Sequence, residues 1–95
     1  MTSKERATLM SMAQKMDPIF QIGKNSISPE LVEALSDALE ARELIKIAVL
    51  KNCGDNPKEL AQIVSERTRS QVVQVIGKRI VLYRESKNEK KHILK

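Results

Sequence analysis

The 95-residue sequence predicts an α/β fold, a four-stranded mixed sheet packed with helices in the order α-β-α-β-α-β-β. Three observations predict it. Two apolar stripes at helical spacing each begin at a proline behind a Ser or Asn. A nearly continuous β-branched run, Leu44 to Leu50, lies between them. Two further β-rich runs sit close together near the end, flanking Gly77-Lys78. Helix and strand thus alternate as in β-α-β units, the last two strands pair antiparallel, and helices cover at least one side of the sheet.

The first helix spans about Ser3 to Lys15. Thr2 with Glu5 fits a capping box, and Leu9, Met12, Ala13 and Met16 recur on one face. Asp17-Pro18 ends it, because proline has no N–H to donate and disfavours helix at the residue before it. A short strand, about Ile19 to Ile22, runs into Gly23-Lys24-Asn25-Ser26. Ser28-Pro29-Glu30 then starts the second helix, which buries Leu31, Val32, Leu35, Ala38 and Leu39 and reaches about Arg42. Lys46 alone interrupts the strand that follows. Asn52-Cys53-Gly54-Asp55 reads as a turn, and Asn56-Pro57-Lys58-Glu59 opens a third helix to about Arg67, burying Leu60, Ile63 and Val64. In the hairpin, a two-residue turn at Gly77-Lys78 sets Val75 opposite Ile80 and Val73 opposite Leu82 on an apolar face. Gln74, Arg79 and Tyr83 are left on a mixed, partly open one. One domain over residues 1–86 is expected, followed by a basic flexible tail over 87–95, since from Ser86 onward there is almost nothing to bury.

Composition narrows the chemistry. No run approaches the roughly 18 apolar residues of a membrane span, and the N-terminus lacks a signal-peptide pattern, so a cytoplasmic protein without a membrane partner is expected. A single Cys, Cys53, and a single His, His92, allow neither an internal disulfide nor a closed zinc site within one chain. The carboxylates decorate the polar sides of helices and form no acid–base pair, so the chain reads as non-enzymatic, with no cofactor. A small hydrolase is the weakest reading. Net charge is +5 overall but divides as +2 over residues 1–27, −4 over 28–66 and +7 over 67–95. A cationic region beside an acidic one suits a polyanionic partner, although basic residues also serve simple solubility.

The stretch Gly23-Lys24-Asn25-Ser26 joins a strand to a helix N-terminus. Backbone N–H groups and the positive end of the helix dipole converge at such a junction, and Lys24 adds a mobile charge, so it suits a phosphate. A plain surface turn is the alternative. The stretch lacks the Gly-x-x-x-x-Gly-Lys-Ser/Thr spacing of a nucleotide-binding loop. With Phe20 and Tyr83 as the two aromatic residues, the chain cannot offer the stacking platform on which some sheets read bases. What remains is a clamp on the nucleic-acid backbone, in which Lys24 pairs with a phosphate, Asn25 bonds phosphate, sugar or base, and the N–H groups of residues 24–26 grip at close range.

Three separated motifs now combine: Ile22-Gly23-Lys24-Asn25; Ala34-Leu35 with Glu43-Leu44-Ile45-Lys46-Ile47; and Val75-Ile76-Gly77-Lys78-Arg79-Ile80-Val81-Leu82-Tyr83-Arg84. Together, across about residues 3–85, they resemble the signature of the CRM domain, the chloroplast RNA splicing and ribosome maturation family. A lone copy is similar to the bacterial YhbY-type members. The resemblance implies a fold related to the C-terminal domain of translation initiation factor three. It also implies RNA binding on precursors of the large ribosomal subunit and a role in ribosome assembly; a monomer is expected. The family's loop is usually Gly-x-x-Gly, and Ser26 stands where its second glycine falls. Gly23, Lys24 and Asn25 carry over directly, Ser26 by position, and Lys78 and Arg79 as hairpin residues. The competing reading is a protein-interaction adaptor that docks through the acidic second helix or the Tyr83 face and makes no RNA contact.

Overall fold

Side-chain oxygens set where each helix begins. The computed structural model, which describes residues 1–24 and 26–87, orders the chain as α1 (Ser3–Gln14), β1 (Phe20–Ile22), α2 (Pro29–Arg42), β2 (Leu44–Val49), α3 (Pro57–Thr68), β3 (Gln71–Ile76) and β4 (Arg79–Tyr83). Ahead of α1, Thr2 and Glu5 exchange backbone and side-chain hydrogen bonds in a capping box. Ser28 Oγ accepts the Leu31 N–H, and Asn56 Oδ1 accepts the Lys58 N–H, each just before a proline at the first helical position. No helix among the described residues is long and apolar enough to cross a membrane.

The strands lie in the order β1-β2-β4-β3. β1 runs parallel to β2, and β4 is antiparallel to both its neighbours. Inserting β4 between β2 and β3 makes those two parallel without touching. Alternation along the strands then divides the core into two layers. Ile45, Ile47, Val49, Ile80 and Leu82 face Leu35, Leu39, Leu60 and Val64 of α2 and α3. Leu44, Val81 and Tyr83 face Leu9 and Ala13 of α1 on the opposite side. Both sides of the sheet are therefore covered, as the near-continuous apolarity of β2 requires. Each fully buried Leu or Ile of these layers contributes roughly 1.5–3 kcal/mol.

Lys46 explains its own presence in that apolar run. It points to the α1 side, where Nζ donates to the carbonyl oxygens of Ala13 and Met16 at 3.1 and 3.2 Å and so satisfies the end of the helix.

Four side-chain placements depart from the sequence reading. Val72, not Val73, lies opposite Leu82, because the ladder shifts register between Val72 and Gln74. The extra residue turns Val73 into the α1 layer, and Arg6 from α1 donates to the carbonyls of Val72 and Val73 at the bulge. Tyr83 is closed off rather than partly open, at 7 % exposure, since α1 lies over it. Ile63 is 39 % exposed instead of buried, and Met12 is exposed on α1. Ser86, expected to find almost nothing to bury it, departs from the reading as well. Ser86 is buried, with its N–H on Glu43 Oε2 and its hydroxyl on Glu40 Oε1, and Lys87 N–H also donates to Glu40 Oε1. The rest of the expected tail, 88–95, lies outside the described residues.

Burial raises the Tyr83 pKa above the ordinary 10.0, and the negative charges of Glu43, Glu85 and Glu5 add to the effect. Since the folded-state value exceeds the unfolded one, this contribution to stability is complete below about pH 10 and is lost as pH rises through the folded-state pKa. Tyr83 is the sole Tyr and the chain has no Trp. Phenolate absorbance during an alkaline titration is therefore expected to show a single midpoint above that of a free tyrosine, moving back towards it in denaturant.

Candidate functional site

Because β1 and β2 are parallel, both deliver the chain to the same end of the sheet. Leu50 N–H donates to Ile22 O at 2.8 Å, which sets the turn after β2 beside the loop after β1. Val49 N–H donates to Lys78 O at 2.7 Å, which brings the tip of the β3–β4 hairpin to that end too. Lys24, Lys51 and Lys78 thus stand on three successive strand ends, β1, β2 and β4. With neighbouring strands about 4.8 Å apart, the backbones carrying the outer two are separated by roughly 10 Å. All three side chains are exposed, and none forms an ion pair among the described residues.

The loop between β1 and α2 is shaped from within. Ser26 N–H donates to Gly23 O at 2.9 Å, closing a four-residue turn. Ser26 has φ 53°, the left-handed region that favours glycine, and a serine there costs roughly 1–2 kcal/mol. Its hydroxyl offsets that cost by donating to Asp55 Oδ2 at 2.6 Å, which ties the loop to the residue just before the α3 cap. With both its N–H and O–H engaged, Ser26 shapes the loop. A Cβ on Gly23 would stand in ordinary van der Waals contact, 3.4 Å, with both Asn52 Oδ1 and Leu50 Cδ1, which shows how closely the turn after β2 lies against the loop. Asn25 lies outside the described residues.

The two hairpin residues separate. Lys78 sits at the tip beside the β2 end, whereas Arg79 shares the α1 side of the sheet with Val81 and lines a cleft of about 110 Å³ with Ala13, Gln14, Lys46 and Gln74. Its guanidinium reaches Lys78 O at 3.5 Å. Lys51, Asn52 and Asp55 were not among the sequence candidates. In sequence they resemble any solvated turn, and only the parallel pairing of β1 with β2 makes them neighbours of the loop. The rule that ligands of α/β sheets bind beyond the carboxyl ends of parallel strands was the signal available.

A family model for the CRS1/YhbY (CRM) domain matches residues 1–84. The chain belongs to the CRM domain family. Among its CRM relatives, the Bacillus subtilis protein named "Probable RNA-binding protein YqeI" is 44 % identical over 90 residues, covering 95 % of this chain and 94 % of that one. A Haemophilus influenzae protein named "RNA-binding protein" is 27 % identical over 90 residues, covering 95 % and 91 %. The solution structure of the hypothetical protein SAV1595 from Staphylococcus aureus superposes with a TM-score of 0.79 at 52 % identity, over 97 % of each chain. In this CRM chain the fourth loop position does take the glycine-favouring backbone, and the serine there bonds Asp55.

Proposed function

We propose that this CRM protein binds RNA without doing chemistry on it, holding the sugar-phosphate backbone at Gly23-Lys24-Asn25-Ser26 with Lys51 and Lys78 alongside and Arg79 on the flank. The observation that carries this reading is the convergence on one end of the sheet of three exposed lysines that form no ion pair among the described residues. Phosphates are the natural partners of such a row, and neutralising them releases counterions. The two aromatic residues support backbone rather than base-stack recognition. Tyr83 is covered by α1, and Phe20 packs against the α2–α3 core.

The target in this reading is ribosomal RNA in precursors of the large subunit, bound in the cytoplasm by a monomer that assists assembly. It rests on membership of a family whose name couples RNA splicing with ribosome maturation and whose relatives are named as RNA-binding proteins. The adaptor alternative loses one of its two surfaces with Tyr83 buried. Ultraviolet crosslinking in cells, with identification of both nucleotide and peptide, tests the proposal. Large-subunit ribosomal RNA attached at residues 23–26, 51 or 78 is the expected product. Crosslinks confined to other RNA or to the exposed face of α2 would overturn it, as would a protein partner retained after nuclease digestion with no RNA attached.

A further inference from the structure

The loop has a second neighbour of opposite character. On its α3 side lies a groove of about 240 Å³ that shares Ser26 with the loop. Ile27, Leu60 and Ile63 supply the apolar part of its lining, and Ile63 is left 39 % exposed, between the exposed Gln62 and the buried Val64. Asp55, Glu59 and Arg67 supply its charged lining. One oxygen of Asp55 is taken by the Ser26 hydroxyl, whereas Glu59 has no partner among the described residues. Two carboxylates against one guanidinium leave this lining net negative, so a phosphate is repelled. An apolar planar group whose edge bears N–H donors is not, and the groove is smaller than the roughly 300 Å³ at which drug-sized sites begin.

We propose that this groove receives one unpaired nucleobase of the RNA whose backbone the loop holds, and that Glu59 selects bases presenting N–H donors on the Watson–Crick edge. The proposal rests on the RNA-binding reading above and adds base preference to it. Charge divides the nucleotide across the loop: its phosphate lies with Lys24, Lys51 and Lys78, and its base turns towards α3. A carboxylate only accepts hydrogen bonds and can take two at once. Guanine offers two adjacent donors, N1–H and the N2 amino group. Adenine and cytosine offer one amino group each. Uracil presents a single N–H flanked by two carbonyls, which a carboxylate repels. Guanine is therefore favoured most and uracil least.

The test is a fluorescence-anisotropy titration of the full chain with an all-uridine octamer and with the same octamer carrying two central guanosines. Wild type is expected to bind the guanosine octamer about tenfold tighter, the discrimination typical of a paired base edge. Glu59→Gln should cut that preference to about threefold or less, since an amide both donates and accepts and no longer repels the uracil carbonyls, so that affinity for the uridine octamer rises slightly while that for the guanosine octamer falls. Ile63→Ser should weaken the guanosine octamer alone, and since Ile63 is exposed it is expected to leave the fold intact by circular dichroism. Lys24→Ala should weaken both octamers equally and keep their ratio. Equal binding of the two octamers by wild type, or a preference untouched by Glu59→Gln, overturns the groove assignment. A Glu59-dependent preference that survives alongside full binding by Lys24→Ala would instead sink the loop reading and leave the groove standing.

Discussion

Replacing Lys24 and Asn25 together by Ala is expected to lower RNA affinity by at least about tenfold at physiological salt, the worth of one or two charge-assisted contacts. The melting temperature should stay within about 4 °C, since an exposed substitution such as that at Lys24 usually costs under about 0.5 kcal/mol. Lys24 is exposed and forms no ion pair among the described residues, so its charge has no structural task to lose. Ser26→Gly belongs in the same series. Glycine removes the left-handed strain but also the bond to Asp55, so affinity should hold or improve slightly. A large loss there would show that the hydroxyl fixes the loop more than the glycine backbone can. Filter binding or anisotropy, with a melt on each variant, separates these outcomes.

Arg84→Ala is expected to cost the most stability, about 2–3 kcal/mol, and to lower Tm by roughly 10–20 °C. The Arg84 guanidinium donates to Ser36 Oγ at 2.9 Å, Ser36 O at 2.7 Å and Thr68 O at 2.8 Å, joining the middle of α2 to the end of α3. Removing it strips partners from two backbone carbonyls at once. The 3.6 Å pair with Glu40 adds little, because both side chains are partly solvated. Arg84→Lys should fall between, since an ammonium cannot reproduce the planar fork. β4 pairs Tyr83 with Leu44, at the start of β2, so Arg84 sits at the sheet end opposite the lysines. RNA affinity measured well below the melt should therefore be unchanged. Thermal unfolding followed by circular dichroism reads the first effect, and titration at low temperature reads the second.

Much of this architecture was legible because local signals agreed. Ser28 and Asn56 before prolines, the capping box at Thr2 and the β-branched run from Leu44 each fixed an element within a residue or two. What escaped was non-local. The bulge at Val73 is set by packing against α1 and by Arg6, a residue 67 positions away, so two-residue turn rules alone place the wrong valine opposite Leu82. Tyr83 looked amphipathic by alternation, yet alternation says nothing about which helix closes a face. Ser86 lacked apolar neighbours in sequence, but the Glu40 and Glu43 carboxylates hold it. The candidate site divided along the same line. Gly23, Lys24 and Ser26 formed a contiguous signal, whereas Lys51, Asn52 and Asp55 join it only through the parallel pairing of two strands.

The most direct measurement is the slope of log affinity against log salt for the wild type and for a variant with Lys24, Lys51 and Lys78 all changed to Ala. Three phosphate contacts removed from a single strand should reduce the magnitude of that slope by about 2. A variant that keeps the wild-type slope and affinity would contradict the assignment of the RNA backbone to this end of the sheet.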